Sequence, residues 1–149
     1  MEPTFDLTII WAGIIGFGLM MYVLMDGFDL GQGILFMFAP NEAARDQMMN
    51  SVAPVWDGNE TWLVLGGAGL LAAFPLVYSV FLPALYIGVF LLLAGLIFRG
   101  VAFEFRFKAK TSKYLWNWSF AVGSTVAAFA QGAVVGAYIQ GFETEGFVY

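Results

Sequence analysis

Four apolar runs, Leu7 to Phe38, Val55 to Phe74, Val77 to Phe98 and Trp116 to Tyr138, dominate this chain. About 20 apolar residues in helix cross a bilayer core, so each run is long enough to span. In lipid every backbone N–H and C=O must find a partner within the protein, and a helix meets that demand segment by segment. The sequence therefore predicts an all-α polytopic membrane protein, in which four transmembrane helices form a single four-helix bundle over residues 1–149. The first run is too long for one crossing, so its part beyond Asp26 is expected near or past one membrane edge. The N-terminus lacks the basic segment and small-residue cleavage site of a signal peptide, and the first run is expected to remain in the mature protein.

Composition narrows the chemistry. The chain has no cysteine and no histidine, which excludes disulfides, thiolate and imidazole metal sites and histidine-ligated haem within it. A redox centre must lie on another polypeptide or use methionine. The net charge of -5 gives no pointer to nucleic acid.

The basic residues carry the orientation. Arg45, Arg99, Arg106, Lys108, Lys110 and Lys113 all fall between the first and second runs or between the third and fourth. The positive-inside rule then puts those links in the cytoplasm and the N-terminus outside. Three polar clusters consequently share the cytoplasmic edge.

In the first cluster Asp26, Asp29 and Gln32 recur every three residues and so share a helix face. Two carboxylates aimed at one partner can hold a proton or bind a cation; the plainer reading is a solvated headgroup position, or a cap on a second helical piece after Gly27. In the second cluster, Asp57 and Glu60 sit with Asn59 between Trp56 and Trp62. Capping or a first-turn position accounts for Asp57, and interfacial anchoring accounts for the indoles. Neither accounts for Asn59 and Glu60 following at once. In the third cluster Glu104 and Lys108 are spaced for an ion pair; Arg99 and Glu104, earlier and less exposed, point to a role, while for Arg106 through Lys113 an ordinary basic helix end whose side chains snorkel is an equal reading. Gly27 with Gly31, the glycines Gly66, Gly67 and Gly69, and Gly132 with Gly136 predict close helix packing.

Acids and a lysine at one membrane edge suit a proton entrance, because carboxylates pass protons when a watered cleft reaches them. A small transporter or ion channel could use the same carboxylates for a substrate or coupling cation. The runs lack paired central breaks, and their polar residues sit at one edge, which favours the first reading.

The segments Asp26-Gly27-Phe28-Asp29-Leu30-Gly31, Trp56-Asp57-Gly58-Asn59-Glu60-Thr61-Trp62-Leu63 and Phe98-Arg99-Gly100-Val101-Ala102-Phe103-Glu104-Phe105-Arg106 resemble subunit II of the cytochrome bd quinol oxidases, including the cyanide-insensitive branch. The resemblance covers the whole chain but only the N-terminal four-helix portion of the family protein. It implies a bacterial inner-membrane enzyme that oxidises quinol and reduces dioxygen to water. Haem b and haem d are then expected in the partner, subunit I, and none in this chain, which is not catalytic alone. Other expected partners are a small single-helix subunit, membrane lipid and quinol. By the resemblance Asp57 is the channel carboxylate at the subunit boundary, Glu104 and Lys108 lie near the channel mouth, and Asp26 and Asp29 match a motif whose role is structural or proton-related; with Glu60, which the resemblance assigns no firm role, they complete the candidate proton pathway. Trp56 is the expected neighbour of a bound quinone.

Overall fold

The structure, a computed structural model, describes residues 6–141. It is all-helical, with α1 at Leu7–Leu35 running into a short 3-10 turn, Phe36–Phe38, then α2 at Glu42–Val52, α3 at Trp56–Ala73, α4 at Pro75–Phe105 and α5 at Lys113–Gln140. Each boundary has a local cause. The Asp6 carboxylate accepts from the Thr8 N–H at 3.0 Å and starts α1, and Asn41 does the same for α2 through Ala44 at 2.9 Å; both satisfy helix N–H groups that have no carbonyl partner. Phe74 alone separates α3 from α4, and Pro75 takes the first position of α4, where its missing N–H costs nothing. Gly141 ends α5 with φ at 78°, a conformation in which a Cβ would be strained.

The helices match the apolar runs only in part. Among the described residues three helices are long and apolar enough to cross a membrane by length and composition, Leu7–Phe38, Pro75–Phe105 and Lys113–Gln140, and the fourth expected span is not among them. The second apolar run does become a helix, but α3 has 18 residues and begins with Trp56, Asp57, Gly58, Asn59 and Glu60, so polar side chains occupy its first turns. The link between the first and second runs contains α2, whose Met49 and Val52 are fully buried. The third run extends past Phe98 to Phe105, which makes Arg99 and Glu104 part of the helix.

The closest partners are α4 with α5 and α1 with α3, and α1 also meets α5. Small residues permit the approaches. A Cβ on Gly95 would lie 2.6 Å from the Gly123 carbonyl oxygen, and one on Gly33 would overlap the Ser124 side chain. Gly66 and Gly69 similarly receive Leu19 and Ile15 of α1. By contrast Gly27, Gly31, Gly67, Gly132 and Gly136 meet nothing within 4 Å among the described residues. The spacing that predicted packing there brings no neighbouring helix onto those glycines, and Gly132 lines a cavity instead. At one end of the bundle α2 closes an apolar cluster of Phe36, Met49, Val52, Ala102, Phe103 and Phe120, in which Phe103 meets Phe120 edge-on at 5.1 Å.

Candidate functional site: a buried acid–arginine cluster

Helix α1 runs without interruption through Gly27, so no second helical piece begins there. Asp26 and Asp29 are both fully buried within the chain, which overturns the reading that has them solvated in the headgroup layer. Their charge demands partners, because an uncompensated buried carboxylate is costly. Arg99 of α4, itself fully buried, supplies one. Its Nη2 donates to Asp26 Oδ1 at 2.6 Å and to Glu60 Oε2 of α3 at 3.3 Å. Asp29 has a neutral partner instead: Asn59 Nδ2 of α3 donates to its Oδ2 at 3.0 Å. The same nitrogen lies 3.5 Å from the Met25 carbonyl oxygen.

Residues from all three sequence motifs thus converge on one buried site. The site holds more acid than base, with Asp26, Asp29 and Glu60 around the single guanidinium of Arg99. It is also incompletely bonded: Asp26 Oδ2, Asp29 Oδ1, Arg99 Nε and Arg99 Nη1 are buried and have no hydrogen-bond partner among the described residues. Unfilled donors beside unfilled acceptors are what an internal water or a mobile proton would bridge. Tyr22 lies beside Asp26, and its buried hydroxyl makes no well-formed hydrogen bond. Tyr22 also lines a largely apolar cavity of about 720 Å³ with Leu63, Leu70, Phe81, Leu92 and Gln131. The buried Gln131 Oε1 there is likewise unbonded among the described residues.

The remaining predicted residues lie elsewhere. Asp57 is exposed in the first turn of α3, where it complements the helix dipole, and its side chain makes no hydrogen bond among the described residues. Glu104 and Lys108 form the expected ion pair at 3.1 Å, but their side chains are 69% and 74% exposed, and a pair so solvated contributes little. Trp56 stacks on Phe103, with centroids 5.0 Å apart and planes at 12°, which gives it a packing role in this chain.

A second network was not foreseen. Arg106, expected to snorkel, is fully buried. Its guanidinium donates to Asp46 at 2.6 Å and Glu42 at 3.0 Å on α2 and bonds Asn117 of α5. Lys113 adds a contact to Asp46 at 3.1 Å, so α2 is tied to α4 and α5. The signal was in the sequence: Arg99, Ala102, Phe103 and Arg106 follow the i, i+3, i+4, i+7 spacing of one helix face, and all four are buried.

Hydrogen bonding from Arg45, with the nearby Arg106 and Lys113, holds the Glu42 carboxyl below its usual range. For Asp46 burial alone would raise it, but hydrogen bonds from Arg106 and Lys113 outweigh that and lower it. Groups with depressed folded values contribute stability that is complete above their unfolded value, near 4, and that fades as pH falls through the folded one. Amide protection in α2 is therefore expected to drop below about pH 4 before that of α4 and α5, read by hydrogen exchange across pH. Uniform loss in all three helices would contradict this.

The profile of the family described as cytochrome bd terminal oxidase subunit II matches residues 7–149. The chain belongs to this family. Cytochrome bd-I ubiquinol oxidase subunit 2 of Escherichia coli (strain K12) is 38% identical over 138 residues, which is 91% of this chain and 36% of that protein. Cytochrome bd ubiquinol oxidase subunit 2 of Bacillus subtilis (strain 168) is 35% identical over 144 residues, 95% of this chain and 42% of that protein. The probable cytochrome oxidase subunit 2 of Haemophilus influenzae is 36% identical over 138 residues, again 91% and 36% of the two chains. The chain thus spans roughly two fifths of the length of these cytochrome bd subunits. Arg99 and Asn59 both stood out in the sequence, within the third and second clusters, but neither was placed in the proton pathway; the structure brings them to the carboxylates.

Proposed function

We propose that this chain is part of the haem-free subunit of a bacterial inner-membrane terminal oxidase that oxidises quinol and reduces dioxygen, and that it contributes a proton-uptake path from the cytoplasm. The observation that carries the reading is the convergence of three family motifs on one buried cluster with more carboxylate than guanidinium. Protonating a carboxyl there removes unbalanced buried charge, so the cluster can accept a proton and pass it on. Haem does not fit this chain, which has no histidine or cysteine and whose buried Met49 sits among apolar side chains. Haem b and haem d are accordingly assigned to subunit I. The transporter alternative is set aside by the family to which the chain belongs.

In this reading α3 completes a fourth crossing, with its polar first turns at the cytoplasmic side and the N-terminus outside. Its 18 residues reach about 27 Å at 1.5 Å per residue, close to the hydrocarbon thickness. Asp57, solvent-facing in this chain, serves as the carboxylate at the boundary with subunit I, and Glu104 with Lys108 gathers protons at the surface. A quinone, where this subunit holds one, suits the cavity beside Tyr22 and Gln131 better than the neighbourhood of Trp56, whose ring is stacked on Phe103.

The chain should co-purify with a haem-bearing partner, visible in the absorption spectrum of the complex; a colourless, partner-free protein that moves a solute would sink the oxidase reading. Asp57→Asn in the assembled oxidase is expected to slow quinol-driven oxygen reduction by about tenfold or more, as loss of a proton-transferring group does, with haem content near that of the parent. Unchanged turnover and proton uptake would remove Asp57 from the path.

A further inference from the structure

We propose that Asn59 is a positioning residue whose amide follows the proton on Asp29, donating from Nδ2 to the ionised carboxylate and turning Oδ1 toward the protonated carboxyl. Asp26 and Asp29 are equally buried, yet they are held differently. Asp26 is clamped by a full positive charge at 2.6 Å, so adding a proton to it would forfeit an ion pair. Asp29 has only the neutral amide of Asn59 at 3.0 Å, and its Oδ1 is unbonded among the described residues. A carboxamide carries donors on nitrogen and an acceptor on oxygen at nearly identical positions, so a half-turn exchanges them. Asn59 uses its donor side here, and Oδ1 accepts no hydrogen bond among the described residues. The Met25 carbonyl, 3.5 Å from Nδ2, is a second acceptor for the nitrogen in this orientation and favours it while Asp29 is ionised; the half-turn gives up that weak contact for a hydrogen bond accepted from the protonated carboxyl. The amide can thereby meet either protonation state of Asp29 without bringing a second charge into a site that already has excess acid. A lysine or arginine in its place would hold Asp29 ionised.

The charged groups acting on Asp29 are Asp26 from α1 and Arg99 from α4; Tyr22 stands beside Asp26 and Glu60 pairs with Arg99, one step further out. The charged residue of α5, Lys113, is engaged with Asp46 and Glu42 in the other network.

The inference rests on the proton-path reading, and the test separates the two. In the assembled oxidase, Asp29→Asn, Asn59→Leu and Asn59→Asp are compared by quinol-driven oxygen consumption across pH, with haem content measured for each. Asn59→Leu, which removes the donor at similar volume, should slow turnover about tenfold, the effect of losing one charge-assisted hydrogen bond. Asn59→Asp, isosteric with the parent, should gain activity as pH falls, because the introduced carboxyl can donate only when protonated. Infrared pH-difference spectra of the unaltered complex provide a readout that needs no altered assembly: an asparagine amide band, shifted by isotopic labelling of asparagine, should change together with a carboxyl band. Asn59→Leu at parental rates beside a slow Asp29→Asn overturns the role of Asn59 alone, as does a flat pH response of Asn59→Asp or an amide band indifferent to pH. Asp29→Asn at parental rates overturns the proton path through Asp29 itself.

Discussion

Replacing Arg99 by alanine is expected to destabilise the assembled subunit by about 3–5 kcal/mol, the usual result of stripping one partner from a buried ion pair. Arg99 and Asp26 are fully buried and 2.6 Å apart, and Glu60, 26% exposed, shares the same nitrogen at 3.3 Å. Removing the guanidinium leaves these carboxylates and Asp29 facing one another without a counter-charge among the described residues. Three helices meet through this one side chain, so the loss falls on the contacts of α4 with α1 and α3. Lysine is an incomplete substitute: Nη2 alone reaches both Asp26 and Glu60, as one ammonium can, but the lysine stem is shorter and its charge more strongly hydrated. The double change Arg99→Met with Asp26→Leu should recover part of the loss, since apolar side chains of similar volume can replace a buried pair at little cost. Glu60 and Asp29 remain, which limits the recovery. Detergent-titrated unfolding of the purified complex in mixed micelles measures each step. A single Arg99→Ala variant within about 1 kcal/mol of the parent, the range of a surface pair, would show that this cluster does not hold the bundle together.

What the sequence disclosed and what it withheld differ by range of interaction. The i, i+3 spacing of Asp26 and Asp29 placed them on one face, and the structure puts both on the buried side of α1. Which partner each takes was not legible, because Arg99 lies 73 residues from Asp26 and Asn59 lies 30 from Asp29. Hydropathy located the long helices, but it is blind to a short amphipathic one. The marks of α2 were nonetheless present as Asn41 at its cap and Glu42 in its first turn. Its burial could not be inferred, since Met49 and Val52 close a core built by residues of α4 and α5. Arg106 was misjudged for a related reason: a cation beside lysines reads as solvent-facing until Glu42, Asp46 and Asn117 are known to surround it. The exposed side chain of Asp57 is the converse case. Its side chain makes no hydrogen bond or ion pair among the described residues, and its proposed role depends on a partner surface.

Gly95→Ala is expected to cost about 1–3 kcal/mol, as added volume in a packed core does. The new Cβ would stand 2.6 Å from the Gly123 carbonyl oxygen, 2.9 Å from the Ala127 nitrogen and 3.1 Å from the Ala127 Cβ. Two of these are backbone atoms of α5 and cannot swing aside, so α4 and α5 must separate. Gly123→Ala meets the reciprocal obstruction, with the Gly95 carbonyl oxygen at 2.6 Å and the Arg99 nitrogen at 3.0 Å. Arg99 lies one helical turn beyond Gly95, which couples the helix seam to the acid cluster. Widening the seam shifts the guanidinium relative to Asp26, and the variant should lose turnover as well as thermal stability. Gly136→Ala provides the contrast: its Cβ meets nothing within 4 Å, and relief of glycine's chain entropy within a helix favours alanine by about 0.5–1 kcal/mol. Thermal inactivation of the purified complex in detergent should therefore rank Gly95→Ala well below the parent and Gly136→Ala at or above it. Equal losses at the two positions would mean that another part of the oxidase seats on the face that carries Gly136, while a neutral Gly95→Ala would show that the α4–α5 seam opens without cost and that Arg99 is not held by it.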